Sequence, residues 1–340
     1  RLDLFCLNLF SVWIGRHGIE MLAGNPDAPT AEYLIKPLLV RDGGTVLFGP
    51  PGHGKSYVTL LAAVSMDAGD EVPEERRLWA TAKRRCVFVN LERSKRSLEA
   101  RLARVNQCLG LPAKRPLPIL QARGLGMRDI AEGLYRDVRE MNIEATFMDS
   151  ITRMGLGDLN ENQTGNRVVD MLSGACPTWF AIGHSPRNDD THLFGSQMFD
   201  AGEDLGIQIK ASQQRVGDLF VTGVRLRVVK GNDVPTWPAE ADQFLALTFD
   251  PKQALVKASK AAEADFPTLV DQNSTPPLQR IKDCILAMGG KATTSTIAKE
   301  TGLAAATVNG YLNGKGNSFQ KLGRDGHEVF YALKSDRGQQ

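Results

Sequence analysis

Cysteine is scarce in this 340-residue chain. Cys6, Cys86, Cys108, Cys176 and Cys284 are scattered, odd in number, and form no Cys-x-x-Cys pair. That spacing argues against a structural zinc site and against a disulfide framework, and it favours a reducing, cytoplasmic setting. Long apolar runs are also lacking. The run over residues 2–14 is too short for a spanning helix, which needs about 20 residues. It has neither the basic start nor the small-residue cleavage site of a signal peptide, so no membrane association is expected. Residues 1–29 read instead as a buried helix or strand left from an upstream region, and Arg1 as a start inside a longer protein. A dominant charge is missing too: 41 Lys plus Arg face 39 Asp plus Glu, a formal net charge of +2. Hydrophobic residues at 42% and charged residues at 24% lie close to globular averages and exclude a mostly disordered or collagen-like chain. No internal repeat is visible.

What is present is an alternation of short apolar runs with helical patterns. Thr45–Phe48, Cys86–Leu91, Ala145–Met148 and Thr178–Ile182 are nearly continuous apolar stretches. They read as strands covered on both faces. Ile130, Leu134, Val138 and Met141 mark one face of a helix, and Val168, Val169 and Leu172 suggest another. The expected fold class is α/β, a domain over 30–252 with a mostly parallel central sheet. Leu219–Val229 and Phe244–Phe249 have no helix between them and are expected to extend the sheet in antiparallel fashion. Residues 253–277 have a linker composition, rich in Ala, Lys, Glu and Pro.

Residues 278–335 form a separate small pattern. Leu278, Ile281, Ile285 and Met288 give one amphipathic helix. A second is capped by Thr293 or Thr294 and a third runs from about Ala304 to Leu312. Two short β-type runs follow around the turn 323–326. Three helices and a hairpin spell a winged helix-turn-helix, followed by a tail over 336–340. Residues 277–340 carry nine Lys plus Arg against five Asp plus Glu, so the positive charge is concentrated here. Thr307 and Asn309 are candidates for reading base edges, and Lys315, Lys321 and Arg324 for phosphate contacts. Docking to protein is the other reading of such a module.

The chemistry-bearing motif is Gly49-Pro50-Pro51-Gly52-His53-Gly54-Lys55-Ser56, which fits G-x-x-x-x-G-K-[ST] between a predicted strand and the helical run that opens at Tyr57. Glycines let backbone N–H groups turn toward an anion, and the helix N-terminus adds partial positive charge. Lys55 is expected to reach the β- and γ-phosphates of ATP, and Ser56 to ligate Mg²⁺. Asp149 ends the third strand and is expected to hold the same Mg²⁺, a helix or loop cap being its other reading. Glu92 follows the second strand. It reads either as the group that activates the attacking water or as a surface glutamate paired to Arg93 or Arg96. His184 ends the fourth strand, as a structural histidine or a γ-phosphate sensor. A basic zone over 76–123, with 13 Lys or Arg and two acids, reads as a solvated helix face or as a contact surface.

Taken together, these residues resemble the RecA-fold ring-forming hexameric ATPases, nearest to the RepA-type plasmid and phage replicative helicases. The resemblance covers about residues 30–250. It rests on Gly49–Ser56, the Leu91-Glu92 strand end, Asp149, His184–Arg187 and Phe194-Gly195-Ser196. It implies an ATPase with Glu92 as catalytic base and His184 as sensor. It also implies DNA-facing loops near Thr152–Gly165 and Ser185–Gly195, the second of which includes Arg187. The family places a Lys and an Arg near a strand end to reach the neighbouring subunit's nucleotide. Here Lys230 fits, but Asn232 stands in the arginine's place, leaving Arg225 or Arg227 to compensate.

The expected activity is that of an Mg²⁺–ATP-hydrolysing, helicase-like motor on single-stranded DNA, a homo-oligomeric ring whose winged helix engages duplex. The alternative is a non-motor ATP-dependent DNA-binding switch. A small-molecule phosphotransferase is disfavoured, because no segment supplies an acceptor pocket and lid.

Overall fold

A computed structural model describes residues 21, 23–27, 31–154, 157–186, 193–195, 201–234, 242–269, 277–301, 303–314, 318–325 and 328–334. The chain divides into Arg1–Glu32, most of which lies outside the described residues, and Tyr33–Gln340. The expected N-terminal element over 1–29 therefore falls almost wholly outside the description.

The second unit opens with β1 (Tyr33–Lys36), β2 (Leu39–Val40), β3 (Gly44–Phe48), α1 (Lys55–Ala68) and β4 (Ala80–Thr81). It continues with β5 (Cys86–Asn90), α2 (Lys95–Cys108), β6 (Ile119–Gln121), α3 (Met127–Glu140) and β7 (Ala145–Asp149). Then come α4 (Asn162–Ala175), β8 (Trp179–Ile182), β9 (Leu205–Val216), β10 (Leu219–Gly231), β11 (Asp242–Phe249) and β12 (Leu255–Lys260). A nine-stranded sheet runs in the order β12-β11-β10-β9-β3-β8-β7-β5-β6. From β9 to β6 neighbouring strands are parallel, and from β9 to β12 they are antiparallel. The four apolar runs are the central strands β3, β5, β7 and β8, all four buried along their whole length, as continuous apolar sequence requires.

The helix periodicity holds except at Met141, which lies past the end of α3 and is 43% exposed. Ile130, Leu134 and Val138 of α3, with Val168 and Leu172 of α4, pack into one cluster with Val89, Met148 and Trp179. Removing each of these aliphatic side chains from water contributes about 1.5–3 kcal/mol. Register then fixes function. Asn90 lies opposite Asp149 in the β5–β7 pair, so the loop carrying Glu92 and the strand end carrying Asp149 emerge side by side.

Several elements differ from the sequence reading. Residues 255–269 of the linker expected over 253–277 are structured instead, and 270–276 lie outside the described residues. Residues 255–260 are β12, paired with β11, and Leu255, Ala258, Phe266 and Leu269 are buried. The Ala- and Lys-rich composition conceals an edge strand whose polar residues face outward. β9 was not anticipated, although Ile207 and Ile209 alternate with Gln208 and Lys210 at the spacing of a half-buried strand. The small sheet β2-β1-β4 was not anticipated either, its strands being only two to four residues long.

Arg225 on β10 was a candidate for reaching another subunit. It is 1% exposed instead, donating to Asp242 Oδ2 at 3.1 Å and to the Leu269 carbonyl at 2.8 Å. Arg227 pairs with the other oxygen of Asp242 at 3.5 Å. A buried guanidinium that loses its counter-charge is costly, so Asp242→Ala is expected to lower unfolding free energy by about 3 kcal/mol in urea denaturation.

The C-terminal part contains α5 (Pro277–Ala287), β13 (Ala292–Thr293), α6 (Thr294–Thr301), α7 (Ala305–Asn313), β14 (Phe319–Asp325) and β15 (Glu328–Leu333). Its strands form a separate sheet, β13-β15-β14. Its own core holds Ile281, Ile285, Ile297, Val308, Leu312, Phe319 and Tyr331. Met288, expected to face inward, lies past the end of α5 and is 43% exposed.

Candidate nucleotide site

Residues 49–56 join β3 to α1 at the carboxyl edge of the parallel strands, where the open crevice of an α/β sheet lies. Gly52 and Gly54 have φ of 83° and 85°, a left-handed conformation that side-chain-bearing residues rarely adopt. The loop thereby curls over the first turn of α1, whose free N–H groups point into its mouth. Lys55 is the first residue of that helix and is 6% exposed. Its ammonium donates to the carbonyls of Gly49 at 2.6 Å and Pro50 at 2.8 Å. Burial draws its pKa down to about 8, against the opposing pull of Asp149 and Glu92.

Asp149 is 2% exposed at the end of β7. The Ser56 hydroxyl lies near enough to oppose the rise in the Asp149 pKa, and Asp149 Oδ2 is buried without a hydrogen-bond partner. Burial, then the nearby charge of Glu92, raises its pKa. A bare buried carboxylate oxygen next to a serine hydroxyl is a donor set that fits a hard divalent cation such as Mg²⁺. Among the described residues no group of three or more His, Cys, Asp or Glu could hold a metal. An ion here would therefore complete its shell with phosphate oxygens and water.

Glu92 is positioned from two sides. Asn90 donates to the Arg93 carbonyl at 2.7 Å and to Gln121 Oε1 at 2.8 Å, and accepts from the Arg93 N–H at 3.0 Å, which clamps the turn that presents Glu92. Ser150 then donates to Glu92 Oε1 at 2.5 Å. Glu92 thus turns inward; the surface pairing with Arg93 or Arg96 is not what holds it. His184 stands on the other side of the same cleft, half-buried, with Nδ1 lacking a hydrogen-bond partner. Burial, together with the Lys55 charge, lowers its pKa, which favours neutral imidazole at neutral pH. The His184 carbonyl accepts from the Phe194 N–H at 2.6 Å, so the Phe194-Gly195 element adjoins it. Ser196 and Arg187 lie outside the described residues.

These groups line one cleft of about 550 Å³. Its far end was not anticipated, apart from Tyr57. The Tyr57 ring meets Phe249 edge-on at 5.4 Å, and the Arg101 guanidinium lies 4.4 Å from the Tyr57 centroid. Phe220 and Leu247 complete this apolar end. Arg101 belongs to the basic zone read as a solvated face. It faces the cleft, and burial lowers its pKa. Much of that zone is internally neutralised: Arg84 pairs with Glu144, Lys83 with Glu71, and Arg115 with Asp67 and Glu71.

Other sequence candidates are not brought to the cleft. Lys230 donates to the Glu203 carbonyl, and Asn232 donates to Asp204 Oδ1 at 3.0 Å. Thr307 and Asn309 are exposed on α7, where Asn309 Oδ1 accepts from Thr294 at 3.1 Å. Lys321 is exposed on β14 above the Tyr331 ring, and Arg324 lies opposite Val329 in the β14–β15 pair. Lys315 is outside the described residues.

The family described as AAA domain matches residues 16–183, the stretch that carries Lys55, Glu92 and Asp149. The loop Gly49–Ser56 between β3 and α1 lies within that matched stretch. The fold is α/β, with a large, mostly parallel sheet. The chain is similar to the KaiC-like protein PH0186 from the hyperthermophilic archaeon Pyrococcus horikoshii OT3, at 14% identity, over 67% of this chain and 94% of that one, with a TM-score of 0.43. No curated protein matches. No helix among the described residues is long and apolar enough to cross a membrane.

The depressed Lys55 pKa of this P-loop has a measurable consequence. Phosphate oxygens favour the protonated amine, so nucleotide binding raises the Lys55 pKa above its free value of about 8. Affinity for ATP is expected to be flat below that pH and to fall as pH rises through it. Titration calorimetry at about pH 9, in buffers of different ionisation enthalpy, should register proton uptake on binding.

Proposed function

We propose that this chain is an Mg²⁺-dependent ATP hydrolase acting on single-stranded DNA as a ring-forming, helicase-like motor of a plasmid- or phage-type replication system. The observation that carries the hydrolase reading is the convergence of Lys55, Ser56, Asp149, Glu92 and His184 on one cleft at the carboxyl strand edge. The loop amides and Lys55 would bind the phosphate chain. Ser56 and Asp149 would hold Mg²⁺, which when bound neutralises charge on the β- and γ-phosphate oxygens. Tyr57, Phe249 and Arg101 supply an apolar and π-rich end for the base. Glu92 would accept a proton as water attacks the γ-phosphorus and the bond to the bridging oxygen breaks. Neutral His184 would donate or accept a hydrogen bond at the γ-phosphate and register its loss.

The DNA and ring assignments rest on the resemblance of the motifs. The C-terminal helices and hairpin follow the order of a winged helix, which would place α7 with Thr307 and Asn309 toward duplex, and Lys315, Lys321 and Arg324 toward phosphates. A cytoplasmic setting accords with Cys86, Cys108, Cys176 and Cys284 being free. The alternative, a non-motor switch, is favoured by one observation: Asn232 replaces the expected arginine, while Arg225 and Arg227 are both engaged by Asp242. Phosphate release measured with and without single-stranded DNA, alongside strand displacement on a fork, separates the two. Stimulated turnover with displacement supports the motor. Stimulated turnover without displacement supports the switch.

A further inference from the structure

The turn after β5 is clamped at Arg93. The Arg93 N–H donates to Asn90 Oδ1 at 3.0 Å, and the Arg93 carbonyl accepts from Asn90 Nδ2 at 2.7 Å and from Gln121 Nε2 at 2.9 Å. Asn90 is fully buried and lies opposite Asp149 in the β5–β7 pair. Three hydrogen bonds thus fix the main chain of a residue whose side chain they do not use. That side chain is half-buried and lines the same cleft as Lys55, Glu92 and Asp149. Its Nε is buried without a hydrogen-bond partner. Among the described residues no ion pair takes up its charge. The charge is felt across the cleft. Burial and then Glu92 raise the Asp149 pKa, and Arg93 opposes them. Arg93 also adds to the effect of burial in lowering the Arg101 pKa. A buried donor without an acceptor is costly, and two guanidiniums in one cleft repel each other. An anion with several oxygens relieves both costs.

The residues expected to serve a neighbouring subunit's nucleotide are otherwise engaged. Lys230 donates to the Glu203 carbonyl, Asn232 donates to Asp204, and Asp242 holds both Arg225 and Arg227. Arg101 lies over the Tyr57 ring at the apolar end of the cleft. Arg93 instead follows Glu92 directly, with Cα atoms about 3.8 Å apart. One clamped turn therefore presents both the proposed proton acceptor and an unpartnered cation. We propose that Arg93 is a catalytic residue that binds the γ-phosphate oxygens from within the same chain, in the place that the resemblance gives to a neighbouring subunit. This rests on the ATPase reading above and adds a residue to it. As the water oxygen bonds to the γ-phosphorus, its proton passes to Glu92 and the bond from phosphorus to the bridging oxygen breaks, leaving ADP and inorganic phosphate. Arg93 stays protonated throughout. Its donors would meet the negative charge spread over the γ-phosphate oxygens in the transition state, and a main chain already clamped spares the cost of reorganisation. Ring assembly would then serve work on DNA and not the chemistry.

The test uses the full-length protein with Mg²⁺–ATP, and with ADP–aluminium fluoride as a mimic of the phosphoryl group in transfer. Arg93→Gln is expected to lower kcat by about 10³-fold while calorimetric titration shows near-native ATP affinity. It should also lose its preference for ADP–aluminium fluoride over ADP, which a merely structural role would not remove. The variant should fold, because Asn90 and Gln121 hold main-chain atoms that any residue supplies. Arg93→Lys keeps the charge without the fork of donors and should fall between the two. Arg96→Gln, at an exposed position of α2, should turn over like the wild type. Mixing Arg93→Gln with Glu92→Gln then reads which chain supplies the arginine. If Arg93 serves its own site, every chain in the mixture lacks one of the two groups and turnover stays at the sum of the separate variants. Restored turnover in the mixture overturns the same-chain assignment. Wild-type kcat in Arg93→Gln, or equal losses of ATP and ADP–aluminium fluoride binding, overturns the catalytic role and leaves the ATPase reading intact. Absent turnover in the wild type removes the ATPase reading and this inference with it.

Discussion

Glu92→Gln is expected to bind ATP with near-native affinity and to hydrolyse it about 10²–10⁴-fold more slowly. The amide keeps the size of the side chain and can still accept the hydrogen bond from Ser150, so the turn clamped by Asn90 and Gln121 should persist. What is lost is the capacity to take a proton from water. A carboxylate also adds negative charge near Asp149 and Lys55, both of which respond to it. Its removal should lower the Asp149 pKa and slightly ease phosphate binding. The signature is a large fall in kcat with an unchanged or lower KM, read by steady-state phosphate release. A comparable fall in ATP affinity would place Glu92 in binding and not in proton transfer.

The second large effect belongs to Lys55. Lys55→Ala is expected to weaken ATP binding by about 3 kcal/mol, roughly 100-fold, the upper range for a hydrogen bond to a charged group. The ammonium is held by the Gly49 and Pro50 carbonyls, within the loop that would surround the phosphates. Its removal also takes a desolvated positive charge out of the fold, so the variant should be no less stable than the wild type below about pH 8, where that charge is carried. Lost affinity without lost thermal stability is thus the expected pair of results. Calorimetric titration with ATP, plus a melting scan, reads both.

The loop end of the cleft was legible because its motif is local. Gly52, Gly54, Lys55 and Ser56 are contiguous, and a glycine-rich turn between a strand and a helix has few other uses. The places of Asp149, Glu92 and His184 were legible in the same way, since each follows an apolar run read as a buried strand, but the roles of Glu92 and His184 came only with the resemblance. The apolar end was not legible. Arg101 is on α2, and Phe220 and Phe249 are on β10 and β11 of the antiparallel extension. Only the tertiary register brings them to Tyr57. In sequence Arg101 is one of 13 basic residues between 76 and 123, with nothing to separate it from arginines that merely pair on the surface. Arg225 misled for the opposite reason. An arginine in an exposed-looking strand gives no local sign that Asp242 and the Leu269 carbonyl enclose it. The strand β12 was hidden by its alanines and lysines, which match a linker in composition and a sheet edge in alternation.

The most direct test of the whole account is phosphate release by the full-length protein with Mg²⁺–ATP, measured with and without single-stranded DNA, beside the Glu92→Gln variant. The proposed function predicts turnover that requires Mg²⁺, rises with DNA, and collapses in the variant. Turnover in Glu92→Gln equal to the wild type, or none in the wild type under any of these conditions, would contradict it.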